Sequence, residues 1–158
     1  TNISVTTGID NPPIGAFKDP RHEALGWRSY ENSSINQGID WKKLRVAYGI
    51  PETNVELIRD KTYILEAGFE KLNGVDFKKG CYVGQEITAR MKHKTTLRKG
   101  LIKVSVIGET PVGTEILADG RPAGVLYSQS GGYGLAFLKL DRASPKMKAG
   151  EATVIIEN

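Results

Sequence analysis

Towards the C-terminus the apolar positions alternate. In LIKVSVI (101–107) Ile102, Val104 and Val106 share one face, and TEILADGRPAGVLYS divides into two strands about an Asp119-Gly120 turn. YGLAFLKL and ATVIIE supply two further strands. Short strands at close spacing with glycine-rich turns predict a small antiparallel barrel or sandwich over residues 95–158. Upstream the period changes. Asp40 as N-cap, Trp41, Leu44 and Tyr48 at helical spacing, and Gly49 with Pro51 as stop predict a helix over 41–48, with Ile39 and Leu44 placed as a hydrophobic staple. Val83, Ile87 and Met91 recur every four residues, and Glu86 precedes Arg90 by four, which predicts a second helix over 84–91. Leu25 to Tyr30 reads as a strand with Leu25, Trp27 and Ser29 on one face, NSSINQG as a polar loop, Tyr63 to Leu65 as a strand, and Asn73-Gly74 as a turn. No repeat and no low-complexity tract interrupts this order.

Composition adds little to that fold but narrows its setting. At 158 residues the chain is long enough for one well-packed domain or two small ones. The 39% hydrophobic and 25% charged content is globular. One cysteine cannot form an internal disulfide, which fits a reducing compartment, with the cytoplasm as the expected location. No signal-like leader and no apolar run of membrane-spanning length occurs, so no membrane partner is expected. The chain opens on Thr1 rather than methionine, as a processed product or an excised piece would.

Charge is more informative than composition. The net +4 is unevenly spread: from Lys78 to Lys103 eight basic residues face Glu86 alone, a local charge of +7, leaving the rest of the chain net acidic. That segment reads as a solvated face, as a site for a polyanion, or as an RNA contact. For RNA the run offers only Tyr82 and His93 for stacking.

Within this field lies KKGCYVGQE (78–86), which holds the one cysteine. Gly80 and Gly84 permit backbone conformations or close approaches that a side chain would obstruct. Cys81 then stands just before a helix N-terminus, where free amides favour negative charge, and Lys78 and Lys79 act in the same sense. This points to a reactive thiol. A small buried core filler is the equally open alternative. His22 and His93 are far apart in sequence and give no metal-site spacing with Cys81, so no stably bound metal is expected. A Cys81-His93 nucleophile pair is conceivable on residue type, although His93 falls beyond the predicted helix. In DPRHEALGWR, Trp27 reads as core, Asp19-Pro20 as a turn, and Arg28 as either a structural residue or part of a binding cleft. SGGYGLAF lacks the lysine and following helix of a phosphate loop and reads as a strand turn.

Lys79-Gly80-Cys81-Tyr82-x-Gly84-Gln85-Glu86 resembles the K-G-C-[FY]-x-G-Q-E signature of the YgfZ family of folate-binding proteins, relatives of the aminomethyltransferase (T-protein) of the glycine cleavage system. DPRHEALGWR, YGIPE, LNGVDF and GLAFLKLDRA resemble the same family in the same order. The resemblance implies the C-terminal half of a longer protein. Its fold would be α+β: residues 1–94 as the end of a ferredoxin-like folate-binding portion, and 95–158 as a C-terminal β-barrel. It implies a tetrahydrofolate-dependent accessory role in iron-sulfur cluster assembly or repair, with indirect effects on tRNA modification, and iron-sulfur enzymes or cluster carriers as partners. Cys81 would be the functional thiol with Lys79 beside it. Gly80, Tyr82, Gly84, Gln85, Glu86, Arg28 and Arg90 would serve the folate site. A tetrahydrofolate-dependent aminomethyltransferase-like enzyme is the alternative of a different class, and a non-enzymatic RNA or protein docking module the third.

Overall fold

A computed structural model describes residues 5–30, 38–94 and 96–157. The first part of the chain contributes three short strands, β1 (Thr6–Gly8), β2 (Phe17–Lys18) and β3 (Trp27–Ser29), in the antiparallel order β1-β3-β2. Leu25, Trp27 and Ser29 are all buried, as the alternation predicts, but Leu25 belongs to a 3-10 turn (Glu23–Leu25) and the strand begins only at Trp27. The break falls at Gly26, whose φ is +65°. A Cβ there would lie 2.1 Å from the Gly8 carbonyl oxygen, so only glycine lets the neighbouring strand come this close. The polar loop expected in NSSINQG lies, apart from Gly38, outside the described residues.

Helix α1 (Trp41–Ala47) follows the prediction closely. The Asp40 carboxylate accepts from Lys43 N at 2.9 Å, and Gly49, at φ +69°, ends the helix with its N–H donating to the Val46 carbonyl. Val46 within it and Ile50 just beyond its end are fully buried. From Pro51 to Phe77 the chain runs through successive turns. The strand expected at Tyr63 to Leu65 is not formed: the backbone there bonds locally, Ala67 N to Tyr63 O and Thr62 N to Ile58 O, while Leu65 and Ala67 are buried. The short apolar alternation reflects burial of one side of a coiled segment, which period alone does not distinguish from a strand. Asn73 does sit in a turn, at φ +55°.

Helix α2 (Glu86–Lys94) starts two residues later and ends three later than predicted, which places His93 inside it. Six strands then close into a barrel: β4 (Lys99–Ile107), β5 (Thr114–Ala118), β6 (Arg121–Ser130), β7 (Tyr133–Lys139), β8 (Lys146–Ala149) and β9 (Ala152–Ile155). Their order is β4-β7-β6-β5-β8-β9, and β9 pairs back onto β4. Every pairing is antiparallel. Val104, Val106, Ile116, Leu126, Leu138, Met147 and Val154 fill the interior, interleaved with Ala118, Ala123, Ala136, Ala149 and Ala152. Small residues alternate with large ones because a barrel of this size leaves no room for six rows of bulky side chains. The Asp119-Gly120 turn, both residues at positive φ, joins β5 to β6 as predicted, and Gly131-Gly132 forms the turn of SGGYGLAF. Strand β8 escaped the period rule because KMKA, although its burial alternates, is only four residues long.

The segment before the barrel is fastened to its outside. α1 packs on β6 and β7, and Leu101 N donates to Glu66 O at 2.7 Å. Deeper in the same junction Glu56 is fully buried. It pairs with Arg45 Nη1 at 3.1 Å and accepts from Glu52 N at 2.9 Å and Ser128 N at 3.1 Å. Arg45 also donates to Ser128 Oγ. Ser128 lies where the β6-β7 register shifts, between Leu126 and Gln129, so the irregularity frees its N–H to face the carboxylate.

Candidate functional site

The motif residues form one contiguous, open structure. Tyr82 N donates to Gln85 Oε1 and Gln85 N to Tyr82 O, both at 3.3 Å, which closes a four-residue turn. Gly84 is its third residue at φ +86°, the left-handed value a type II turn requires there. Gln85 is therefore a turn-forming residue, and Ala89 N donates to its carbonyl as the helix begins. Cys81 precedes this turn. It is exposed, five residues before the first helical residue, so the turn separates the thiol from the helix end that the sequence reading placed directly beside it. The core-filler alternative is thereby excluded.

Its surroundings combine charge with apolar surface. Lys79 Nζ lies 5.8 Å from the centroid of the Tyr82 ring, Val83 is fully exposed at the turn's tip, and Ile87 is more than half exposed. No residue of α2 is buried. Glu86 pairs with Arg90 at 2.9 Å, the predicted i,i+4 bridge. Lys92 pairs with Glu70 at 2.7 Å and stands over Phe77, whose ring also meets His93 edge-on at 6.1 Å. Among the described residues no bond joins His93 to Cys81, so the conceived nucleophile pair is not assembled.

Arg28 lies elsewhere, on β3 opposite Thr7 and Phe17. The buried Asp19 carboxylate organises it: Asp19 Oδ2 accepts from Arg28 Nε at 2.6 Å and from Arg21 Nη2 at 2.8 Å, while Oδ1 accepts from Arg21 Nε and N, each at 3.0 Å. Burial alone would push this carboxyl up, but the hydrogen bonds from Arg21 and Arg28 outweigh it and hold Asp19 at about 2. One carboxylate thus fixes two guanidiniums and leaves a net positive corner. Arg21 lines a cavity of about 540 Å³ together with Asp19, Trp41, Lys42, Arg45 and Ile50. Sequence reasoning missed Asp19 as an organiser and the Arg45-Glu56 pair entirely. Polar residues spaced two, nine or eleven apart in irregular chain carry no periodic signal.

Comparison with known proteins adds to this geometry. Residues 98–157 match the family model described as CAF17, C-terminal beta-barrel domain. The chain is 33% identical over 139 residues to the mouse protein named iron-sulfur cluster assembly factor IBA57, mitochondrial; the match covers 78% of this chain and 39% of that protein. The human protein of the same name is 35% identical over 137 residues, covering 77% and 38%. The IBA57 homolog of Neurospora crassa is 37% identical over 115 residues, covering 66% and 26%. The chain thus spans well under half the length of these relatives. Their names overturn the cytoplasmic expectation, because each is called mitochondrial. A lone cysteine argues against an oxidising compartment but does not choose among reducing ones. Residues 98–157 therefore match the CAF17 C-terminal β-barrel domain, and the chain as a whole is similar to the IBA57 iron-sulfur cluster assembly factors.

Proposed function

We propose that this chain is the C-terminal part of a YgfZ-type accessory factor in iron-sulfur cluster assembly or repair, tetrahydrofolate-dependent, with Cys81 as its working thiol. The observation that carries this is Cys81 itself, held exposed ahead of a turn built by Gln85 and Gly84 within the KGCYVGQE motif. The names of the relatives support the process. One thiolate supplies one of the four ligands a cluster needs, so a cluster in transit is cargo shared with a second molecule. Lys78 and Lys79 set a positive field around that contact, and the exposed Tyr82, Val83 and Ile87 give it an apolar border.

Residues that would hold a folate are present in two places. The Asp19-Arg21-Arg28 corner fits its anionic glutamyl end, because the guanidiniums are held in place by a buried carboxylate. Trp41 and Ile50 in the adjoining cavity offer apolar contact for a ring. In the motif, Gly80 and Tyr82 are exposed, while Gln85, Glu86 and Arg90 are engaged with their neighbours, which leaves Tyr82 the group able to meet a ligand edge. When bound, tetrahydrofolate supplies one-carbon or reducing chemistry, and this chain positions it.

Calorimetric titration of the full-length protein with tetrahydrofolate, alongside activation of an iron-sulfur enzyme, tests both parts. Arg28→Gln is expected to weaken folate binding, and Cys81→Ser to abolish activation while leaving folate binding intact. Full activation by Cys81→Ser would overturn the thiol's role, and absence of folate binding by the intact protein the cofactor's.

A further inference from the structure

A second cavity, away from both the motif and the arginine corner, lies where the coiled segment 58–66 crosses the outside of β6 and β7. It is a hollow of about 200 Å³, open to solvent on one side. Val125, Tyr127, Phe137 and Leu138 line it from the barrel and Ile58 from the coiled segment, so most of its wall is apolar. Tyr127 and Phe137 stand edge-to-face, with centroids 6.3 Å apart and planes at 84°. Such a pair satisfies one ring edge and leaves aromatic surface for a third ring.

Polar groups converge on this apolar pocket from its rim. Lys61, Lys99 and Lys139 bring three positive charges, and Glu66 one negative. Among the described residues none of these four makes an ion pair. Burial raises the Glu66 carboxyl, with Lys99 opposing, and burial followed by the charge of Glu56 raises Tyr127. An apolar cavity with a few convergent polar groups is the usual form of a small-molecule site. Size narrows the ligand: a cavity of roughly 150 Å³ accepts benzene. About 200 Å³ therefore accommodates one ring with one or two small substituents. Charge narrows it further, since three lysines against one carboxyl favour an anion.

We propose that this cavity is a binding site for a single-ring aromatic carboxylate. The ring packs against Phe137 and Tyr127, the carboxylate meets the lysine rim, and a hydroxyl or amino substituent donates to Glu66. The site uses none of the residues assigned to thiol or folate chemistry above.

The test uses the full chain and 4-hydroxybenzoate, with benzoate and benzyl alcohol as controls, followed by amide chemical-shift titration. Saturable shifts at residues of β6, β7 and 58–66 are expected, with affinity in the order 4-hydroxybenzoate, benzoate, benzyl alcohol. The double variant Lys99→Met, Lys139→Met should weaken 4-hydroxybenzoate at least tenfold but leave benzyl alcohol unchanged. Val125→Phe, which fills the cavity, should abolish binding of all three. Both sets of substitutions are on the outside of the barrel, and an unchanged thermal midpoint of the lysine variant shows that loss of binding is not loss of fold. No saturable shift at millimolar 4-hydroxybenzoate, or equal binding to wild type and the lysine variant, would overturn the proposal.

Discussion

Arg45→Met isolates the interaction that fastens the coiled segment to the barrel. Glu56 is fully buried, and its carboxylate faces Arg45 Nη1 at 3.1 Å. Methionine fills much of the arginine's apolar stem but removes the charge, leaving a carboxylate in the interior without its guanidinium. Removing one partner of a buried pair destabilises by roughly 3–5 kcal/mol. Glu56 keeps its hydrogen bonds from Glu52 N at 2.9 Å and Ser128 N at 3.1 Å, which favours the lower end. The expected loss is about 3 kcal/mol, or roughly 6–12 °C in thermal midpoint for a chain of this size. Urea unfolding followed by circular dichroism measures it. Glu56→Gln supplies the other arm of the cycle: a neutral amide needs no counter-charge, so the double variant should be more stable than Arg45→Met alone. A loss below about 1 kcal/mol, or strictly additive effects in the double variant, would refute the reasoning.

Two further outcomes follow from the first part of the chain. Asp19 lies at about 2 when folded against an ordinary value of 3.8, so its contribution to stability is present above pH 4 and is lost as pH falls through about 2. Discounted for solvent screening, this is about 1–2 kcal/mol, and Asp19→Asn should flatten the acid limb of a stability-against-pH curve by that amount; an unchanged limb would contradict the assignment. Gly26→Ala must place a methyl group 2.1 Å from the Gly8 carbonyl oxygen at a φ of +65°, and should destabilise by at least about 2 kcal/mol in chemical denaturation. A neutral effect would mean that β1 and β3 do not approach as described.

The barrel was legible because each inward position obeys one rule. Ile102, Val104 and Val106 alternate along β4, and the Asp119-Gly120 turn has the residues its backbone demands. Asp40 likewise announced α1. Strands β8 and β2 escaped because four and two residues are too few to show a period. The same limit explains Tyr63 to Leu65, where partial burial of a coil mimicked alternation. At the candidate site, the Glu86-Arg90 bridge could be read directly, since it depends on local spacing, whereas local spacing left Cys81 open between a reactive thiol and a core filler until its exposure was seen. The Asp19-Arg21-Arg28 cluster, the Arg45-Glu56-Ser128 junction and the cavity over β6 and β7 could not. Each joins residues distant in sequence whose meeting is decided by how the coiled segments lie on the sheets.

The central claim is that Cys81 acts as an exposed working thiol and carries no structural burden. Its most direct measurement is the activity of an iron-sulfur enzyme restored by the full-length protein carrying Cys81→Ser, with the thermal midpoint recorded on the same sample. Because the side chain is exposed, the midpoint should stay within about 1–2 °C of wild type, as for surface substitutions generally. Enzyme activation should be abolished. Undiminished activation by the folded Cys81→Ser protein would contradict the account.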